Sequence, residues 1–261
     1  MCVCEFCVKH GEGRTWYLDA RNYSSDLVRN SRKFRDLLNW LTSIGDTPSK
    51  RIAQLRHVTR VPALGLLVRW LITRRLKVEH FGQVLPLEDV KAVFEMVDVI
   101  RCVPCVCRQQ LLGTSAERYC FALGSFLEEL LDDTPARKGE GETLTAAEAF
   151  DRARQFGERG LVHTIWTLET PFIVGICSCR PGECLGLELT QKLKTKVMFR
   201  SEYLAWVDPG RCAGRLCPAK LFARRRISDR GLGPGRPRAL CCGPGGPAPR
   251  RLDVHTRIST P

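Results

Sequence analysis

Residues 176–187 read I-C-S-C-R-P-G-E-C-L-G-L, and residues 201–222 read S-E-Y-L-A-W-V-D-P-G-R-C-A-G-R-L-C-P-A-K-L-F. Five cysteines fall in this stretch: Cys177, Cys179, Cys184, Cys212 and Cys217. Thiols spaced one to four residues apart among glycines let several sulfurs converge on one centre. Backbone N-H groups of such loops then face the anionic sulfurs. The stretch therefore reads as a thiolate site for a soft metal or cluster, and the rest of the chain is read around it.

The chain has 261 residues, of which 44% are hydrophobic, enough for a sizeable core. Its net charge of +13 is uneven. From Arg211 to Pro261 there are 12 Lys and Arg against 2 Asp and Glu, which leaves +3 for the first 210 residues. Fourteen cysteines behind a start that lacks a basic, apolar leader point to thiols kept reduced in the cytoplasm rather than to a disulfide framework. The most apolar run, Val61 to Ile72, is broken by Arg69, so no membrane span is expected.

Taken in order, residues 1–22 form a cysteine-containing segment. Cys4 and Cys7 make a C-x2-C pair, half of a zinc or cluster site, and Trp16, Tyr17 and Tyr23 suggest a short strand or an aromatic cover. Residues 23–160 are expected to be mainly helical. Leu27, Phe34, Leu38 and Leu41 share one stripe. Leu64, Leu67, Val68, Leu71 and Ile72 after Pro62 predict a helix packed on the core, and Val90, Val93, Phe94 and Val97 predict another over Leu85–Ile100. This last helix would end at Pro104 and present Cys102, Cys105 and Cys107, three thiols in six residues, as metal ligands, with Cys120 as a candidate fourth. Thr145 to Glu148 is a capping box opening a helix to about Phe156. Residues 161–168 and 171–176 alternate like strands, the second running into Cys177. His163 is a candidate ligand, with a half-buried strand histidine as the plainer alternative.

P-C-V-C-R at 104–108, Y-C at 119–120, E-A-F at 148–150, G-L-V-H-T at 160–164 and I-C-S-C at 176–179 occur in an order that resembles a family of prokaryotic 4Fe-4S ferredoxin-type proteins. The start C-E-F-C-V-K-H-G-E-G-R-T-W-Y-L at 4–18 looks like the same family's N-terminus. V-D-P-G-R-C-A-G at 207–214 resembles the entry to its C-x2-C-x2-C-x3-C-P loop. The likeness covers residues 1 to about 214. It implies a helical N-terminal region, a small cluster domain, at least one [4Fe-4S] cluster, and electron transfer beside a larger oxidoreductase as redox partner. By this resemblance Cys177, Cys179, Cys184, Cys212 and Cys217 are cluster ligands. The last loop departs from the pattern: Arg215 stands where its second cysteine belongs, and its fourth has no counterpart.

The expectation is thus an α+β protein: a mainly helical N-terminal region, a small ferredoxin-like cluster domain at 161–222, and a disordered basic tail at 223–261. The tail reads either as a nucleic-acid-binding segment or as an out-of-frame translation of GC-rich DNA. It lacks the interleaved aromatics that stack on bases, so nucleic acid is not the expected partner. The rival function is a zinc-binding interaction module that pairs Cys4 and Cys7 with Cys102 and Cys105 around Zn²⁺. No paired carboxylates, nucleophile motif or phosphate loop points to catalysis or to a small-molecule substrate.

Overall fold

The computed structural model describes residues 5–32, 36, 57–59, 61–113, 118–127, 141–199, 201–206 and 251–253. The chain divides into two units, Glu5–Ser201 and a second formed by Met1–Cys4 with Glu202–Pro261. In the second, β8 (Leu204–Trp206) pairs in parallel with β9 (Arg251–Asp253). The rest of the expected tail, residues 223–250 and 254–261, lies outside the described residues.

The first unit is built on one seven-stranded sheet, with β1 Gly82–Val84, β2 Ile100–Pro104, β3 Arg118–Leu123, β4 Glu142–Leu144, β5 Val162–Thr167, β6 Ile173–Cys179 and β7 Met198–Phe199. Its order is β4-β2-β3-β6-β5-β1-β7, and every pair is antiparallel except β1 with β7. The helices are α1 Glu5–His10, α2 Pro62–Glu79, α3 Leu87–Met96, α4 Val106–Leu112, α5 Ala146–Glu158 and α6 Leu185–Gln191.

Because side chains alternate along a strand, the register sorts residues onto two faces. Phe121, Ile176 and Ile165 lie side by side on one face, and there α3 and α5 supply the core. Val90, Val93, Phe94, Ala149 and Ala153 are buried, and the ring of Phe94 stands 5.1 Å edge-on from that of Phe121. The capping box forms as the sequence predicts: the Thr145 hydroxyl accepts from the Glu148 N-H, and the Glu148 carboxylate accepts from the Thr145 N-H. Trp16 and Tyr17 sit in a 3-10 turn, fully buried; Trp16 Nε1 donates to Gln83 Oε1 at 2.7 Å and the Tyr17 hydroxyl to Asp89 at 2.7 Å. The aromatic stretch therefore covers β1 and the start of α3.

The expected architecture is corrected. It is α+β, but it is not a helical region followed by a small ferredoxin domain. Four strands, β1 to β4, lie within 23–160, and two of them, β1 and β3, pair with strands from beyond residue 160. The helical pattern at 85–100 is real only over Leu87–Met96; Ile100–Pro104 is a strand, so Cys102 lies within a strand and not in a post-helical turn. A run of a few apolar residues satisfies either period, and its pairing partners decide. The face of α2 is also corrected: Leu64, Leu67 and Leu71 are 48%, 54% and 50% exposed, while Gly65 faces inward. A side chain at Gly65 would collide with the Thr59 carbonyl, its Cβ 2.6 Å from that oxygen.

Gly175, at the centre of β6, shows how closely the ladder is packed. A Cβ there would stand 2.5 Å from the carbonyl oxygen of Phe121 in β3. Gly175→Ala is expected to destabilise the unit by roughly 1–3 kcal/mol, measured as a lower midpoint in urea unfolding followed by circular dichroism; an unchanged midpoint would contradict the packing.

Candidate metal centre

The opposite face of the same strands carries sulfur. Cys120 of β3 lies directly opposite Cys177 of β6, and Cys179 follows two residues on, so all three share that face. Two more thiols sit where helices begin: Cys105 is the residue before α4 and Cys184 the residue before α6. Cys107, in the first turn of α4, stands between them. The six side chains form one continuous run of thiol contacts in the order Cys177, Cys120, Cys105, Cys107, Cys184, Cys179. None of the six is in a disulfide.

Within the run the sulfurs are not equivalent. Cys105 accepts from Cys107 and Cys120, and the backbone N-H and guanidinium of Arg108 add to this, so its pKa is driven below the ordinary thiol value against the effect of burial. Cys184 is lowered likewise, first by Cys107 and Cys179 and then by the N-H groups of Leu187 and Gly186. The thiols that donate to these two, Cys107, Cys120 and Cys179, are pushed up by that bonding and by burial. The two lowered sulfurs, Cys105 and Cys184, are both joined to Cys107, and that is the electrostatic pattern of the site.

A second layer holds the sulfurs. The Thr164 hydroxyl lies 3.3 Å from Cys179 Sγ and donates to the Cys177 carbonyl at 3.2 Å, while Trp166 Nε1 donates to the same hydroxyl at 2.9 Å. Trp166 is wedged between two glycines: a Cβ on Gly82 or Gly186 would come within 2.9 Å or 2.4 Å of its ring. His80 stacks on it at 5.0 Å. Arg108 is 2% exposed, donates through Nε to Glu183 Oε2 at 2.8 Å, and lies 3.7 Å over the Tyr119 ring. Sequence reading passed over Arg108, Glu183, Thr164, Trp166 and Tyr119. All but Trp166, whose register partners are Gly82 and Gly175, are adjacent to a cysteine in sequence or in strand register, and that adjacency was the available signal.

The other flagged residues lie elsewhere. Cys102 is opposite Phe121, on the helix-covered face, with its thiol 3.8 Å from the Arg118 carbonyl and hydrogen-bonded with Arg152. It does not join Cys105 and Cys107. His163 is opposite Ser178 on that same face, its Nδ1 3.2 Å from the Ser178 hydroxyl. Cys7 is buried in α1. Cys4, Cys212 and Cys217 lie outside the described residues. Among the described residues no three His, Cys, Asp or Glu side chains stand ready-arranged around a single ion. No protein-family model, curated protein or solved structure matches the chain.

Burial without a partner on Nε2 lowers the pKa of His163 from 6.5 to about 4. The unfolded chain therefore binds a proton that the folded chain refuses as pH falls below 6.5, so stability is present above that pH and is lost between about 6.5 and 4. The loss from this one group is about 3 kcal/mol. In His163→Gln the difference in unfolding free energy between pH 7 and pH 4.5 should shrink by an amount of that order. Parallel pH profiles for the two proteins would show that His163 is not the titrating group.

Proposed function

We propose that the six-thiol face binds an iron-sulfur cluster of the [4Fe-4S] type and that the protein carries electrons, serving a larger oxidoreductase as its redox partner. The observation that carries this reading is the single contact run joining Cys105, Cys107 and Cys120 to Cys177, Cys179 and Cys184. The donor set is all sulfur, and soft thiolates select zinc, copper(I) or iron-sulfur centres. Six sulfurs exceed the four that a structural zinc uses, and a buried guanidinium beside them, with an Nη2 that makes no hydrogen bond, suits a centre bearing net negative charge. A bound cluster would supply one-electron redox chemistry, which no side chain here provides.

The chain's own residues do the rest. The six cysteines are the donors from which four are drawn, and the Cys105 and Cys184 sulfurs are the most readily ionised. Thr164 orients Cys179, and Trp166, Leu187, Val197 and Met198 exclude water from it. A reducing, cytoplasmic setting fits six adjacent thiols that remain unpaired. Among the described residues no helix is long and apolar enough to cross a membrane. The zinc module built on Cys102 with Cys105 is disfavoured, because those two thiols lie on different sides of the sheet.

Anaerobic purification followed by iron, sulfide and zinc analysis tests the reading. Iron with acid-labile sulfide and a broad absorbance at roughly 400 nm are expected. Cys105→Ser and Cys184→Ser should each lower the iron per chain, whereas Cys102→Ser should leave it unchanged. Zinc without sulfide, or equal loss in the Cys102 variant, would refute the assignment.

A further inference from the structure

Arg108 is built into the thiol face in a way that four cysteines alone do not require. Its side chain is almost completely buried, its Nε donates to Glu183 Oε2 at 2.8 Å, and its guanidinium also contacts the Cys105 sulfur. Nη2 lies 2.8 Å from the same Glu183 oxygen yet makes no hydrogen bond. Glu183 does not neutralise it alone, since its other oxygen is held by Arg180 at 2.6 Å and 2.7 Å. One carboxylate thus serves two guanidiniums, the buried one of Arg108 beside the Cys105 sulfur and the half-exposed one of Arg180, so Glu183 compensates Arg108 only in part. The Tyr119 ring, 3.7 Å from the guanidinium, offers its negative face but no formal charge, and the Tyr119 hydroxyl is occupied by Arg159 at 2.9 Å.

A buried charge that is only partly compensated is costly, so an arrangement that keeps one has a further counter-charge in view. The Cys105 sulfur faces it. Resting on the cluster reading above, we propose that Arg108 is the resident counter-cation of this site and sets its reduction potential, favouring the more negatively charged, reduced form. Uptake of one electron from a one-electron donor adds one negative charge at the sulfurs, and a fixed cation beside them stabilises that state over the oxidised one, raising the midpoint potential. Arg108 is a positioning and tuning residue; the cysteines are the ligands. Glu183 works in the opposite sense, since it shields part of the cation.

The test is a mediated redox titration of the full chain, purified anaerobically, with iron and sulfide measured on the same samples. Arg108→Gln should keep its cluster and shift to a lower midpoint potential, Arg108→Lys should restore most of the shift, and Glu183→Gln should move the midpoint upward. A merely structural role would lower iron content and leave the potential of the remaining clusters where it was. An unchanged or raised midpoint in Arg108→Gln overturns the proposal. Should that variant lose its iron, Glu183→Gln decides: an upward shift supports the counter-cation role, and no shift overturns it. Absence of iron and sulfide from the unaltered chain refutes the cluster reading itself, an outcome distinct from either.

Discussion

The antiparallel register of β3 on β6 is the constraint on which this unit depends. It sets Cys120 against Cys177 and Phe121 against Ile176, so a single pairing assigns sulfur to one face of the sheet and aromatic and aliphatic side chains to the other. A slip of one residue would exchange the faces, placing thiols in the helix-covered core and Phe121 among the cysteines. The close approach of Gly175 to the Phe121 carbonyl and the pairing of Cys177 with Thr164 on the far strand hold that register from both sides.

The two faces solve different problems. Under α3 and α5 the core is held by apolar burial and ring contacts, and its few polar groups are tied off, as where Gln83 accepts from Trp16. On the sulfur face, burial alone would leave polarisable, ionisable groups without partners. Each sulfur there is met by another thiol, by backbone N-H groups at the start of α4 or α6, by Thr164, or by Arg108. The glycines at 82 and 186 are part of the same arrangement, because only a residue without a Cβ lets Trp166 lie close enough to reach Thr164.

Legibility followed the range of the interaction. The helix α5 was readable nearly to the residue, since the hydrogen bonds of a capping box are local to Thr145 and Glu148. The strands β5 and β6 were readable from alternation, and six of the flagged cysteines prove to be neighbours in space. The strands β2 and β3 were not readable: Arg118–Leu123 offers six residues whose partners lie about twenty and about fifty positions away, so nothing nearby distinguishes it from a loop. Cys102 was grouped with Cys105 because the two are close in sequence, but Cys102 lies on the helix-covered face of β2, whereas Cys105 lies past the strand's end, before α4, and meets Cys120 of the other face.

What the sequence determined by itself was chemistry and local order: an abundance of cysteines, the places where they concentrate, and the helices whose caps and periods are self-contained. Which thiols meet was decided only by tertiary structure. Their convergence depends on pairing between strands distant along the chain, whose loop-closure cost is met only when the whole sheet forms. The same holds for Arg108 and Glu183. Each is an ordinary charged residue until the fold buries one guanidinium against the Cys105 sulfur and gives it a share of one carboxylate.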